Sequence, residues 1–260
     1  MLYVDQLAVG YRHHRIVEDV DLCLREGEVT ALIGPNGSGK STLLKGVAGI
    51  LQGQGRVHLE LHAGAEAVPK NNQFTYMPQD THTSSSLTVL EVVLLGRLRS
   101  LRLRVPAALI EDARVALQKF NLLHLQSRCL AHLSGGQRQI VYLVQSVFRD
   151  TPVLLLDEPT GALDLYYQLA VLESVKSHTR RANVITLVAM HDLSLAMRYS
   201  DRVVCLQDGR IVADGLPGEV LTRSLVQSVY GVDADILDTA DGFQCVVPTM
   251  TSQDQAFRFE

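Results

Sequence analysis

Paired cysteines, net positive charge and long apolar runs are all missing from this sequence, and each absence removes a class of protein. Its cysteines, Cys23, Cys129, Cys205 and Cys245, are far apart and form no Cys-x-x-Cys pair. That spacing argues against a disulfide framework or a zinc module, and for free or buried thiols in a reducing compartment. A net charge of -4 gives no case for nucleic-acid binding. No apolar stretch reaches the roughly 20 residues needed to span a bilayer. The opening Met1-Leu2-Tyr3-Val4-Asp5 lacks a basic segment followed by an apolar one, so no secretory leader is expected. An Asn-Lys-x-Asp guanine-reading motif is absent. His13, His14, His58, His62, His124, His132 and His178 show no metal-ligand spacing and read as surface or packing residues.

What is present is a chain of 260 residues with 47% hydrophobic and 20% charged residues, the balance of a globular protein with a sizeable core. Val29-Thr30-Ala31-Leu32-Ile33 is a short apolar run ending at a glycine, which predicts a buried strand feeding a loop. Ser41 to Val47 then reads as a helix, and Val153 to Leu156 and Val184 to Val188 as further buried strands. Strands alternating with helical stretches predict an α/β fold with a largely parallel core sheet. Val4 to Val9 and Val17 to Leu24 alternate apolar with polar, which predicts an antiparallel β layer near the N-terminus. From Leu87 to about Val147 the pattern turns helical, as an inserted subdomain, with Thr88 and Glu91 spaced as a capping box. Arg97, Arg99, Arg102 and Arg104 read either as a solvated basic face or as a contact for a partner or lipid headgroups.

Gly34-Pro35-Asn36-Gly37-Ser38-Gly39-Lys40-Ser41 fits GxxxxGK[ST] at every fixed position, with Thr42 next in the phosphate-binding set. The glycines let successive N–H groups point at phosphate oxygens, and the following helix adds its positive N-terminal end. Lys40 suits the β- and γ-phosphates, and the Ser41 hydroxyl suits Mg²⁺. Asp157 closes an apolar run, so its carboxylate belongs at the carboxyl end of a buried strand, where a Mg²⁺ shell needs it. Leu133-Ser134-Gly135-Gly136-Gln137 combines a helix-capping serine with glycines that admit a phosphate closely, although alone it is only a turn before a helix.

These motifs, in this order and across about Leu2 to Val247, resemble the ATP-binding cassette (ABC) ATPases. The resemblance implies a P-loop NTPase core of parallel sheet, an N-terminal antiparallel β layer and an inserted helical subdomain. On that reading 1–86 and 148–215 form the nucleotide-binding core, 87–147 the helical subdomain with the signature, and 216–260 a C-terminal extension. It makes Glu158 the general base, His191 the switch histidine, and Gln79 the Q-loop glutamine touching Mg²⁺ and the attacking water. Tyr11 stacks on adenine, Asp164 belongs to the D-loop, and Ser134 to Gln137 bind nucleotide held by a second copy. ATP and Mg²⁺ are the implied ligands, with Ser41, Gln79 and Asp157 as metal contacts.

With one cassette and no membrane segment, the membrane-spanning permease is expected as a separate polypeptide. A substrate-binding protein would take part indirectly, and the chain would sit peripherally on the cytoplasmic face of the plasma membrane. Leu87 to Arg97, Leu163-Asp164-Leu165 and Val229-Tyr230-Gly231 resemble the iron–siderophore, haem and cobalamin importer ATPases. A ferric siderophore is the expected cargo, with haem, cobalamin or molybdate as alternatives and a non-transport cassette ATPase as the competing class.

Overall fold

The computed structural model describes residues 1–12, 14–60, 73–79, 85–97, 105–240 and 242–249. In chain order the first elements are β1 (Leu2–Tyr11), β2 (His14–Leu24), β3 (Val29–Ile33), α1 (Lys40–Val47), β4 (Gly53–Leu59) and β5 (Phe74–Met77). The middle of the chain holds α2 (Val89–Leu95), α3 (Ala107–Lys119), α4 (Gly135–Phe148), β6 (Val153–Asp157), α5 (Leu165–Ala182) and β7 (Ile185–Ala189). It ends with α6 (Leu193–Tyr199), β8 (Arg202–Gln207), β9 (Arg210–Gly215), α7 (Pro217–Val220), α8 (Arg223–Tyr230), β10 (Asp233–Asp238) and β11 (Gln244–Thr249). Contacts gather these into two compact units.

One unit comprises Met1–Leu2, Leu24–Glu28 and Leu59–Val188. Its strands stand in the order β5-β6-β7, with β5 and β6 parallel and Met77 opposite Leu156. Every residue of β6 and β7 is buried, which explains why both read as unbroken apolar runs: a strand covered on both faces has no polar side. Each fully buried leucine there, such as Leu155 or Leu187, contributes about 1.5–3 kcal/mol through surface removed from water. The expected capping box is present. Thr88 Oγ1 accepts the Glu91 N–H at 3.3 Å, and the Glu91 carboxylate accepts the Thr88 N–H at 2.7 Å. At the other end of α2, a Cβ on Gly96 would lie 2.7 Å from the Gln145 carbonyl, so glycine alone permits that approach to α4.

Arg97 departs from the expectation of a solvated basic face. Its guanidinium lies 4.5 Å over the Phe148 ring and pairs with Asp150 at 3.1 Å, a cation held by aromatic and carboxylate partners together. Arg99, Arg102 and Arg104 lie outside the described residues.

The other unit comprises Tyr3–Cys23, Val29–His58 and Ala189–Glu260. β1 and β2 are neighbours in a three-stranded sheet of order β2-β1-β4. Two residues join them, too few for a parallel crossover, so they run antiparallel as expected. The expected strict alternation breaks at Gln6, whose φ is 48°: Val4 and Leu7, not Val4 and Gln6, face the core. β3 and β8 are parallel, and β8 returns antiparallel as β9 through Asp208-Gly209, both at positive φ, the geometry of a type I′ hairpin. That turn holds the phosphate-loop region, since the Gly209 N–H donates to the Ser38 carbonyl at 3.1 Å. The C-terminal hairpin β10–β11 is antiparallel and fastened to α6, where Ser194 Oγ both donates to the Val246 carbonyl and accepts the Val246 N–H. Among the described residues no helix is long and apolar enough to cross a membrane, and no His/Cys/Asp/Glu group forms a metal cluster.

Candidate active site

The phosphate loop begins where β3, buried at every residue, delivers Gly34. Gly34 has φ 148°, and a Cβ there would lie 2.0 Å from the Leu206 carbonyl, so no other residue fits against β8. Pro35, Asn36 and Gly37 carry the chain around the turn to Ser38 and Gly39, from which α1 starts. α1 has no side-chain cap and no acidic residue in its first turn, leaving its orphan N–H donors and positive end to the loop. Ser38 Oγ is buried without a hydrogen-bond partner. A buried hydroxyl without a partner, in a glycine-rich loop at the start of a helix, suits a phosphate oxygen, and this is the observation by which the loop fits a nucleotide. Lys40 is 6% exposed, and its ammonium folds back onto the Gly34 and Pro35 carbonyls at 2.8 and 3.1 Å. Ser41 and the buried Thr42 follow on α1. Tyr11 ends β1, about half exposed, with its hydroxyl accepting from Lys45 of α1 at 3.4 Å.

His191 is exposed directly before the cap of α6, where Asp192 Oδ1 accepts the Leu195 N–H at 2.9 Å. The preceding Met190 N–H donates to Leu32 O of β3, so His191 emerges beside the strand that ends in Gly34. Behind the loop, burial pushes the Cys205 thiol up to about 11, although the Lys40 ammonium pulls the other way. Burial likewise raises the Tyr230 phenol on α8.

The acidic groups belong to the first unit. Asp157 closes β6 at 1% exposure, and its Oδ2 accepts from the Tyr76 hydroxyl on β5 at 3.0 Å. Glu158 has φ 51°, a left-handed backbone costing a non-glycine residue of order 1–3 kcal/mol. Its carboxylate accepts from Gln79 Nε2 at 2.6 Å, so two residues singled out separately in the sequence meet directly. Ser134 Oγ accepts the Gln137 N–H at 3.2 Å while Gln137 Oε1 accepts the Ser134 N–H at 3.1 Å, closing a capping box ahead of the half-buried Gly135 and Gly136 in the first turn of α4. Asp164 caps α5 by accepting the Tyr167 N–H at 3.1 Å. The sequence reading gave no role to Tyr76 or Gln139, yet both bond to the Asp157-Glu158 pair. Gln139 carried one legible signal, a polar residue directly before the apolar run Ile140-Val141 on the same helix.

Comparison with known proteins identifies the family. The ABC transporter family profile matches residues 17–161. The hemin import ATP-binding protein HmuV of Nocardia farcinica is 39% identical over 90% of this chain and 82% of its own length. The ferric enterobactin transport ATP-binding protein FepC of Escherichia coli is 33% identical over 94% of this chain and 92% of its own. Among solved structures, one described as an inward-facing, metal-chelate type ABC transporter has a TM-score of 0.82 at 25% identity, covering 96% of this chain and 98% of that one. A phosphate loop, a strand-end acidic pair and a glycine-rich capped helix, matched along nearly the whole chain, place this protein in the ABC transporter family as one of its ATP-hydrolysing cassettes.

Proposed function

We propose that this chain energises uptake of a metal chelate, a ferric siderophore first among them, through a separate membrane permease. The observation that carries the proposal is the near full-length likeness to cassettes named for hemin and ferric enterobactin import. In this reading two copies close on ATP, each offering Gly34–Ser41 to one nucleotide and Ser134–Gly136 to the other. Lys40 leaves its own loop carbonyls for the β- and γ-phosphates, an exchange its present bonds to Gly34 and Pro35 keep within reach. Glu158, aimed by Gln79, accepts the proton of the attacking water as the bond between the γ-phosphorus and ADP breaks. Lys40 and His191 stabilise charge on the transferred phosphoryl group. Mg²⁺, taken by the Ser41 hydroxyl, Asp157 and Gln79, would supply electrostatic stabilisation of the same oxygens. Tyr11 offers a half-exposed ring to adenine, and Asp164 fixes the loop that joins Glu158 to α5.

The chain sits peripherally on the cytoplasmic face of the membrane in this scheme, and a substrate-binding protein delivers cargo to the permease. Uptake of labelled ferric siderophore, haemin and cobalamin by cells carrying either the native chain or Glu158→Gln tests it. Uptake of ferric siderophore is expected to vanish in the variant. Siderophore uptake that persists while haemin uptake is lost moves the cargo to haemin, and unchanged uptake of all three overturns the metal-chelate reading.

A further inference from the structure

Gln139 lies on α4, the helix that starts at the capped Ser134, and is 3% exposed. Its amide makes two bonds of opposite sense. Nε2 donates to the Glu158 carbonyl at 2.9 Å, and Oε1 accepts the Ala162 N–H at 3.1 Å. One donor and the acceptor of the amide are thereby spent on one short loop that runs from Glu158 to α5. Inside that loop Glu158 holds its left-handed φ of 51°, a conformation that survives where neighbours over-determine it. The Gly161 N–H also reaches the Glu158 carbonyl, at 3.3 Å, but its donor belongs to the same loop and moves with it. Gln139 is the donor anchored in a helix.

We propose that Gln139 is a positioning residue for hydrolysis: it holds the Glu158 backbone in its left-handed turn and so aims the carboxylate. The inference rests on the reading of Glu158 as the base. The side chain of Glu158 leaves from the backbone that Gln139 grips, and its far end meets Gln79 at 2.6 Å, so the glutamate is held at both ends. Freeing one end lets the turn relax toward ordinary backbone angles and swings the carboxylate away. A misplacement of about 1 Å costs on the order of 100-fold in rate. The grip also has a direction. Because Gln139 rides on the helix whose first turn carries Ser134, Gly135 and Gly136, a shift of that first turn on meeting a phosphate reaches the Glu158 of the same chain. The base is thereby set when the signature is engaged.

The test uses the full chain with Mg²⁺ and ATP, comparing Gln139→Glu and Gln139→Met with the native protein. Glutamate keeps the acceptor for the Ala162 N–H but removes the donor to Glu158; methionine removes both at similar volume. Rates are taken per ATP-binding molecule from a nucleotide titration of the same preparation, so unfolded protein does not count. The expected result is a kcat at least about tenfold lower in both variants, with KM for ATP within about twofold. A role confined to packing would lower Tm and leave kcat per binding molecule unchanged, and that outcome overturns the proposal. So does a rise in KM with kcat preserved. Glu158→Gln is assayed beside them. If it retains turnover, the base assignment falls; if it is inactive while both Gln139 variants turn over normally, only the positioning role falls.

Discussion

Two side chains carry the chemistry of this account, and both are held by hydrogen bonds: those of Lys40 are exchanged for phosphate oxygens, while that of Glu158 aims its carboxylate. Lys40 spends its ammonium on the carbonyls of its own loop, and Glu158 spends its carboxylate on Gln79. Replacing Glu158 with glutamine keeps the shape and removes the base. Phosphate release should fall by about 10²- to 10⁴-fold while ATP affinity, read by titration of a fluorescent nucleotide, stays near native. Cys205 supplies a second prediction at this scale. Its thiol is raised from 9.0 to about 11, so the folded protein keeps a proton that the unfolded chain gives up first. Folding stability should therefore decline as pH rises from about 9 toward 11, and Cys205→Ala should flatten that decline in denaturant titrations. In the native state at neutral pH Cys205 should resist alkylation, with Cys23, Cys129 and Cys245, all partly exposed, reacting ahead of it.

Among the elements, the helix caps are the most local features and were the most legible. Thr88 and Glu91 sit three residues apart, so spacing alone identifies their box, and Ser134 reads as a cap, to which the structure adds Gln137 as its partner. Thr88→Ala should cost about 0.5–2 kcal/mol in chemical denaturation. The Thr88 backbone N–H and then its hydroxyl lower the Glu91 carboxyl from 4.5, so the part of the stabilisation carried by that carboxylate is complete above 4.5 and is lost as pH falls through the lower folded value. Below it the gap between native and Thr88→Ala proteins should narrow but not close, because the Thr88 Oγ1 bond to the Glu91 N–H carries no titrating group. The buried strands β3, β6 and β7 were equally legible, because a strand covered on both faces has only apolar residues to show. What the sequence hid are pairings between distant positions. Tyr76 reaches Asp157 across 81 residues, and Gln139 reaches Glu158 across 19. Nothing local at Arg97 announces Phe148 and Asp150, and the alternation of β1 conceals the left-handed Gln6 that shifts its phase. The hairpin β10–β11 was unread for the same reason, since Ser194 and Val246 find each other only in the fold.

At the scale of the whole molecule, the proposed cassette is incomplete alone. The phosphate loop and the capped signature helix belong to one chain, yet the mechanism assigns them to different nucleotides. Ser134→Arg should leave ATP binding to the isolated chain intact and reduce hydrolysis at least tenfold, because a bulky cation then stands where the second copy's phosphate must enter. Loss of nucleotide affinity in that variant would instead put Ser134 in the site of its own chain. The measurement that tests the composite site most directly is the light-scattering molar mass of Glu158→Gln with and without ATP. The account predicts a rise from 28.6 kDa to twice that value on adding ATP, and no rise when Ser134→Arg is combined with it. A chain saturated with ATP that keeps the monomer mass, or a dimer indifferent to Ser134→Arg, would contradict the account.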